Sequence, residues 1–183
     1  MSEAAKEAQA IMDQAQCIHD ADSVAEAVDN LADCITADFK TSNPVIITVM
    51  NGGLIPAGMI LPKLNFPLQQ DYLHATRYGE NTSGGVLNWK ARPQTNLENR
   101  VVLVIDDILD EGLTLQSILE YCREQGAKQV VSCVLVEKIH DRKTGLQHAD
   151  YVGLQVEDVY VFGCGMDYKS YLRNLPGIYA INN

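Results

Sequence analysis

The sequence predicts an α/β protein with a doubly wound, mostly parallel central sheet and flanking helices. Three stretches carry that expectation. Val101, Val102, Leu103, Val104 and Ile105 form a run too apolar for a half-exposed strand; it ends in carboxylates, a glycine, a threonine and an apolar-periodic segment at 115–121. Residues 45–50 repeat the design, running into Asn51-Gly52-Gly53 and then a helix-like segment at 54–64 with Pro56 in its first turn. Residues 129–137 form a third run, placed after a helix stop at Gly126 and ending at Lys138. Strands alternating with helical patterns give a parallel sheet covered on both faces.

The remaining segments fit around this frame. Residues 1–40 read as helical, with Ile11, Ala15 and Ile18 on one face and Val24, Val28, Leu31 and Ile35 on another. Asp22 or Ser23 is the expected cap of the second helix. His19 sits among polar neighbours and carries no motif, so it is expected at the surface. Asn43-Pro44 stops the helix. Residues 68–77 read as a strand with Leu73 and Ala75 on one face, and 86–89 as its return. Between them, 78–85 is rich in glycine and small polar residues, the composition of a solvated hairpin tip or a lid. Residues 140–150 read as polar loop, 151–154 and 160–162 as short strands, and 178–181 as a last apolar run. There is no internal repeat or linker, so one domain over 1–183 is expected.

Bulk properties narrow the function. The 183 residues are 46% hydrophobic, enough for a substantial core, and carry a net charge of −10. That charge disfavours nucleic acid or an anionic membrane as the main partner. It leaves room for a phosphorylated small molecule in a locally positive or metal-bridged pocket. Cys17, Cys34, Cys122, Cys133 and Cys164 are scattered and form no Cys-x-x-Cys pair, which favours reduced thiols and a cytoplasmic setting. The first residues lack the basic start and apolar core of a signal peptide, and no apolar run approaches membrane-spanning length.

The chemistry concentrates after the 101–105 run. Asp106, Asp107 and Asp110 stand at the carboxyl end of a buried strand, where open α/β sheets bind ligands. Neighbouring strand residues point to opposite faces, so Asp106 and Asp107 are expected to do different jobs. Carboxylates accept hydrogen bonds from vicinal sugar hydroxyls and suit Mg²⁺ directly or through water. The amides of Glu111, Gly112, Leu113 and Thr114, with the Thr114 hydroxyl, offer converging donors for one anion at a helix N-terminus. Gly52 and Gly53 allow close backbone approach or a positive φ. No Walker A loop and no dinucleotide Gly-x-Gly-x-x-Gly is present.

The stretch from Val102 to Thr114 resembles the phosphoribosyl-diphosphate (PRPP) signature of type I phosphoribosyltransferases: four apolar residues, two acids, two apolar residues, Asp, then x-Gly-x-Thr. Asn51-Gly52-Gly53, Arg77-Tyr78-Gly79, Lys138, and Gly165-Met166-Asp167-Tyr168 with Arg173 behind it resemble the hypoxanthine-guanine branch in order and spacing. The resemblance covers about residues 45–181 and implies that family's fold, including a flexible lid loop and a small hood built from terminal segments, with 1–40 contributing to the hood or an interface. It implies purine salvage: transfer of phosphoribosyl from PRPP to N9 of hypoxanthine or guanine, giving IMP or GMP and pyrophosphate. By resemblance, Asp106 and Asp107 bind the ribose hydroxyls and organise Mg²⁺, with Asp167 a further metal-side carboxylate that also borders the purine. Asp110 is the general base facing N7, and 110–114 bind the 5′-phosphate. Asn51, Gly52, Gly53 and Arg173 bind pyrophosphate, with a cis peptide expected between Met50 and Asn51. Lys138 donates to the purine O6, Tyr160 stacks on the base and Val161 offers it backbone groups. Arg77, Tyr78 and Gly79 open the lid. The resemblance also implies a homodimer or homotetramer.

The chain departs from the family pattern at Asn51, where lysine is common, at Arg77, where serine is common, and at Glu111 and Leu113, where threonine and lysine are common. The Glu111 carboxylate is expected to point away from a bound phosphate, since repulsion would weaken binding. Two further readings are a xanthine-preferring or other-base relative and a regulatory RNA-binding protein on the same fold. The second conflicts with the charge of −10 and the lack of a basic stripe.

Overall fold

The computed structural model describes residues 1–77 and 87–181. The lid residues Tyr78 and Gly79 and the Arg77 side chain, singled out above, lie outside the described part.

The N-terminal segment is helix–strand–helix rather than all helix. Helix α1 (Glu3–Gln14) is capped by Ser2, whose hydroxyl accepts the Ala5 N–H. Strand β1 (Gln16–His19) follows, then helix α2 (Ala21–Phe39). The expected stripe through Ile18 fails because β1 pairs antiparallel with the last strand, β9 (Ile178–Ala180), and leaves Ile18 exposed. A long-range ladder here outweighs local helical periodicity. The cap of α2 is Asp20, ahead of the two expected residues; its carboxylate accepts both the N–H and the hydroxyl of Ser23. The Val24, Val28, Leu31 and Ile35 stripe is buried as expected.

Among the described residues, six strands make the main sheet: β2 (Val45–Val49), β3 (Gln69–Arg77), β4 (Leu87–Ala91), β5 (Val101–Leu109), β6 (Gln129–Ile139) and β7 (Tyr151–Glu157). Their order is β4-β3-β2-β5-β6-β7, and only β3–β4 is antiparallel. Strand β6 runs past Lys138, and β7 is longer than its apolar core suggested. Helix α3 (Leu54–Ile60) with a 3-10 turn (Leu61–Lys63) follows β2; helix α4 (Leu113–Glu124) follows β5. A second sheet, β1-β9-β8, is built from both ends of the chain, with β8 at Val161–Phe162. It is the expected hood.

The alternation of β5 divides the core. Leu103 and Ile105 pack with α2, α3 and the hood, whereas Val102 and Val104 pack with α4. From β2 the chain winds outward to β3, and from β5 it winds the other way to β6 and β7. The carboxyl ends of β2 and β5 therefore flank a topological switch point, where such sheets leave a crevice. Leu103 is fully buried beneath that crevice. Replacing it with alanine is expected to lower unfolding free energy by about 2–5 kcal/mol in urea titration, with an unchanged denaturant slope.

Candidate active site

Two loops meet at the switch point. After β2, the Met50–Asn51 peptide is cis, as expected, and Gly53 N–H donates to Val49 O (2.9 Å) to turn the chain into α3. Asn51 is exposed, while Gly52 and Gly53 are buried. Neither glycine has a positive φ; what they provide is close approach. A Cβ at Gly52 would collide with the Asp107 carboxylate, and one at Gly53 with the carbonyls of Val49 and Ile105. Gly165, at φ +109°, faces Gly52 O and the Asp107 Cβ from the hood side, so Asp107 is enclosed between two glycines.

After β5, the second loop joins strand to helix with Gly112 at φ +82° as the N-cap of α4. The first-turn amides of α4 have no helical acceptor and the helix dipole is positive there. A cleft of about 290 Å³ opens beside them, lined by Asp106, Asp110, Glu111, Gly112, Leu113 and Thr114. Six residues expected to share one site thus line one cavity.

The acids differ in surroundings. Asp106 Oδ1 accepts the Asp107 N–H (2.9 Å), and Asp107 Oδ1 accepts the Ile108 N–H (2.9 Å). Burial, and then the neighbouring Asp107 charge, push Asp106 well above the usual carboxylate range; burial also raises Asp107. Arg173 runs between the Asp107 and Asp167 carboxylates. Its Nη2 meets Asp167 Oδ1 at 2.5 Å, and its Nη1 lies 3.8 Å from Asp107 Oδ2 while donating to Gly165 O. Asp167 Oδ2 also accepts the Ser170 N–H (2.7 Å). Tyr160 is half-exposed and donates its hydroxyl to Asp167 O (2.9 Å), and Val161 is buried in the hood ladder with Ala180.

Asp110 belongs to a separate cluster. Its Oδ2 accepts from Lys138 Nζ (2.8 Å); its Oδ1 meets His140 Nε2 (2.8 Å) and Arg142 Nη2 (3.1 Å). Burial would raise its pKa, but the Lys138 and His140 hydrogen bonds outweigh that and hold it below the ordinary range. Arg142 also grips Asp158 through Nε and Nη2 (2.8 and 2.6 Å), which holds Asp158 down at about 2. Glu111 turns to Arg142 Nη1 (3.3 Å). Asp110, His140 and Asp158 offer ligand atoms within 4.8 Å of one another, but Lys138 and Arg142 already fill that space with positive charge. A cation is better suited to Asp106 and Asp107, whose crowded carboxylates supply only oxygen.

Segment 140–150, read from the sequence only as polar loop, supplies part of this site. Glu111 O accepts the Thr144 and Gly145 amides, and Gly112 O accepts the Leu146 amide (3.2, 3.0 and 3.2 Å). A Cβ at Gly112 would strike the Leu146 backbone. The segment is tied back by Glu137, a buried carboxylate bonded to Lys143 Nζ (3.1 Å), His148 Nδ1 (2.8 Å) and the Ala149 N–H (3.2 Å). A signal existed: six of the seven residues 137–143 are charged or titratable, straight after an apolar strand.

Burial would raise Glu137, but those bonds outweigh it and hold its carboxylate below the ordinary range. A carboxylate depressed on folding contributes stability above its unfolded pKa and loses it as pH falls through the folded value. Glu137→Gln should therefore destabilise the protein at pH 7 by about 3 kcal/mol, because the Lys143 ammonium is left buried without its carboxylate and with only the Gln147 carbonyl (2.7 Å) to meet it. In urea titration the gap from the parent should close as pH drops below the ordinary carboxylate range; a gap of constant size would contradict the ion pair.

The comparisons agree with this geometry. Residues 14–170 match the model of the phosphoribosyl transferase domain family. The chain is 32% identical over 166 residues to a hypoxanthine-guanine-xanthine phosphoribosyltransferase of Tritrichomonas foetus, covering 91% of each chain. It is 32% identical over 158 residues to the hypoxanthine-guanine phosphoribosyltransferase of Bacillus subtilis (strain 168), covering 86% of this chain and 87% of the relative. A crystal structure of a hypoxanthine phosphoribosyltransferase from Staphylococcus aureus superposes with a TM-score of 0.88 at 25% identity, over 94% of this chain and 95% of the other. A family match over most of the chain, on a site built at the switch point of the same fold, means that this protein belongs to the phosphoribosyl transferase family.

Proposed function

We propose that this protein is a purine-salvage transferase that moves the 5-phosphoribosyl group of PRPP to N9 of hypoxanthine or guanine, releasing pyrophosphate. The observation that carries the reading is the Asp110–Lys138 pair, 2.8 Å apart, beside the cleft at the N-terminus of α4. An acceptor and a donor side by side match the N7–H and O6 edge of a 6-oxopurine. A base entering there would draw Lys138 to O6 and leave Asp110 Oδ2 to take the proton as the N9–C1 bond forms. Adenine, whose 6-amino group is a donor, would face Lys138 unfavourably. Tyr160, half-exposed and tethered through its hydroxyl, would cover the ring face, with Val161 beside it.

The other ligand groups follow from the cleft. The amides of residues 111–114 and the Thr114 hydroxyl would hold the 5′-phosphate. Asp106, which lines the cleft, would accept the ribose hydroxyls, with Asp107 behind it. Asn51, Gly52 and Gly53 would face pyrophosphate across the switch point, and Arg173 would add positive charge as that group leaves. Magnesium would be held at Asp106 and Asp107, with Asp167 at its outer side, and would supply charge neutralisation for the leaving group. The raised Asp106 supports this assignment, since a partly buried carboxylate beside the buried Asp107 is eased by a proton or a cation. Xanthine is the second reading, because the Tritrichomonas foetus relative carries all three bases in its name.

Steady-state kinetics with PRPP and Mg²⁺ test the reading. Nucleotide and pyrophosphate should form with hypoxanthine and guanine, and adenine should be a poor substrate; no turnover with any 6-oxopurine would sink the proposal. Asp110→Asn should reduce kcat by about 100-fold or more, the usual contribution of a general base, while leaving PRPP binding within a few-fold of the parent.

A further inference from the structure

We propose that His140 is a positioning residue of the base site, acting through Asp110. This rests on the reading of Asp110 as proton acceptor and adds the group that selects its reacting oxygen. The His140 side chain is 4% exposed, in contrast to the Asp110 carboxylate at 36%. The Arg142 backbone N–H points at its Nδ1 (3.2 Å). A backbone amide can only donate, so Nδ1 is the acceptor and the ring proton sits on Nε2. That proton is directed at Asp110 Oδ1, 2.8 Å away. The tautomer is thus set by a main-chain contact, and the ring is a fixed donor to one chosen oxygen.

The two oxygens of Asp110 are unequal as a result. Oδ1 is occupied by a buried ring donor and by Arg142 Nη2, itself tied to Asp158. Oδ2 meets only Lys138 among the described residues, on a flexible stem that can turn to a base. When Lys138 leaves for an exocyclic oxygen, Oδ2 becomes the free acceptor while Oδ1 stays engaged. His140 also follows directly on β6, and the loop beyond it is anchored to Glu111 O, Gly112 O and Glu137. The donor is therefore held by the same backbone that shapes the anion loop, which fixes the acid relative to both bound groups.

The test compares His140→Leu with His140→Gln, whose amide N–H can replace Nε2–H, each in the parent and in an Asp110→Asn background. In the parent, His140→Leu should lower kcat/KM for the purine about tenfold, with KM for PRPP within twofold, and His140→Gln should recover most of the loss. In Asp110→Asn, His140→Leu should cost less than twofold, since residues acting through one another are not additive. Thermal unfolding of each variant, and PRPP binding by calorimetry, show that the fold is intact. The proposal is overturned if His140→Leu matches the parent, if the glutamine variant is as slow as the leucine variant, or if the full loss persists in Asp110→Asn. If Asp110→Asn is itself as fast as the parent, the proton-acceptor reading falls and the role of His140 falls with it. A slow Asp110→Asn beside a fast His140→Leu removes only the latter.

Discussion

Placing carboxylates on the end of a buried strand is costly, and much of this structure is arranged around that cost. Strand β5 has apolar neighbours on both sides and carries Asp106 and Asp107 while still inside the sheet. Burial and mutual repulsion disfavour two charges there. Arg173, from the segment before the hood's last strand, offsets the Asp107 side, and Lys138 and Arg142, from β6 and the loop after it, offset Asp110. Asp106 has no cationic side chain in contact among the described residues, and it is the acid pushed up most strongly. The protein has balanced Asp110 internally, offset Asp107 only in part through Arg173, and left Asp106 facing the cleft.

Steric fit supports the same division. Gly52, Gly165 and Gly112 each stand where a side chain would strike another part of the site: Asp107, the Gly52 carbonyl and the Leu146 backbone. Three chain segments distant in sequence can close on β5 only because these positions carry no Cβ. The hood and the 140–150 loop belong to that closure. One brings Gly165, Asp167 and Arg173; the other brings His140 and Arg142 and fastens onto the loop between β5 and α4.

The sheet and the strand-end acids were legible in the sequence because buried parallel strands demand continuous apolar runs, and the switch from Ile105 to Asp106 has few innocent explanations. The Asn51-Gly52-Gly53 turn and the helix after Thr114 follow from the same local logic. The hood strand β1 was not legible. Gln16–His19 forms a strand only because Ile178–Ala180 lies beside it, a contact far away in sequence, and its apolar residues fit a helical face equally well. His140, Arg142, Glu137 and Asp158 were missed for a related reason. Each is an ordinary polar residue by itself, and its meaning comes from partners that only the folded loops bring together: Asp110 after β5 for His140 and Arg142, Arg142 for Asp158, and the 143–149 stretch for Glu137. A dense run of titratable residues after an apolar strand is the one local clue.

The most direct measurement is a crystal structure of the protein with a bound 6-oxopurine nucleotide product. The account predicts the 5′-phosphate on the amides of residues 111–114, the ribose hydroxyls at Asp106, the purine O6 on Lys138 and N7 within hydrogen-bond distance of Asp110 Oδ2, with His140 still on Oδ1. A nucleotide bound away from the carboxyl end of β5, or in that cleft with its base remote from Asp110 and Lys138, would contradict it.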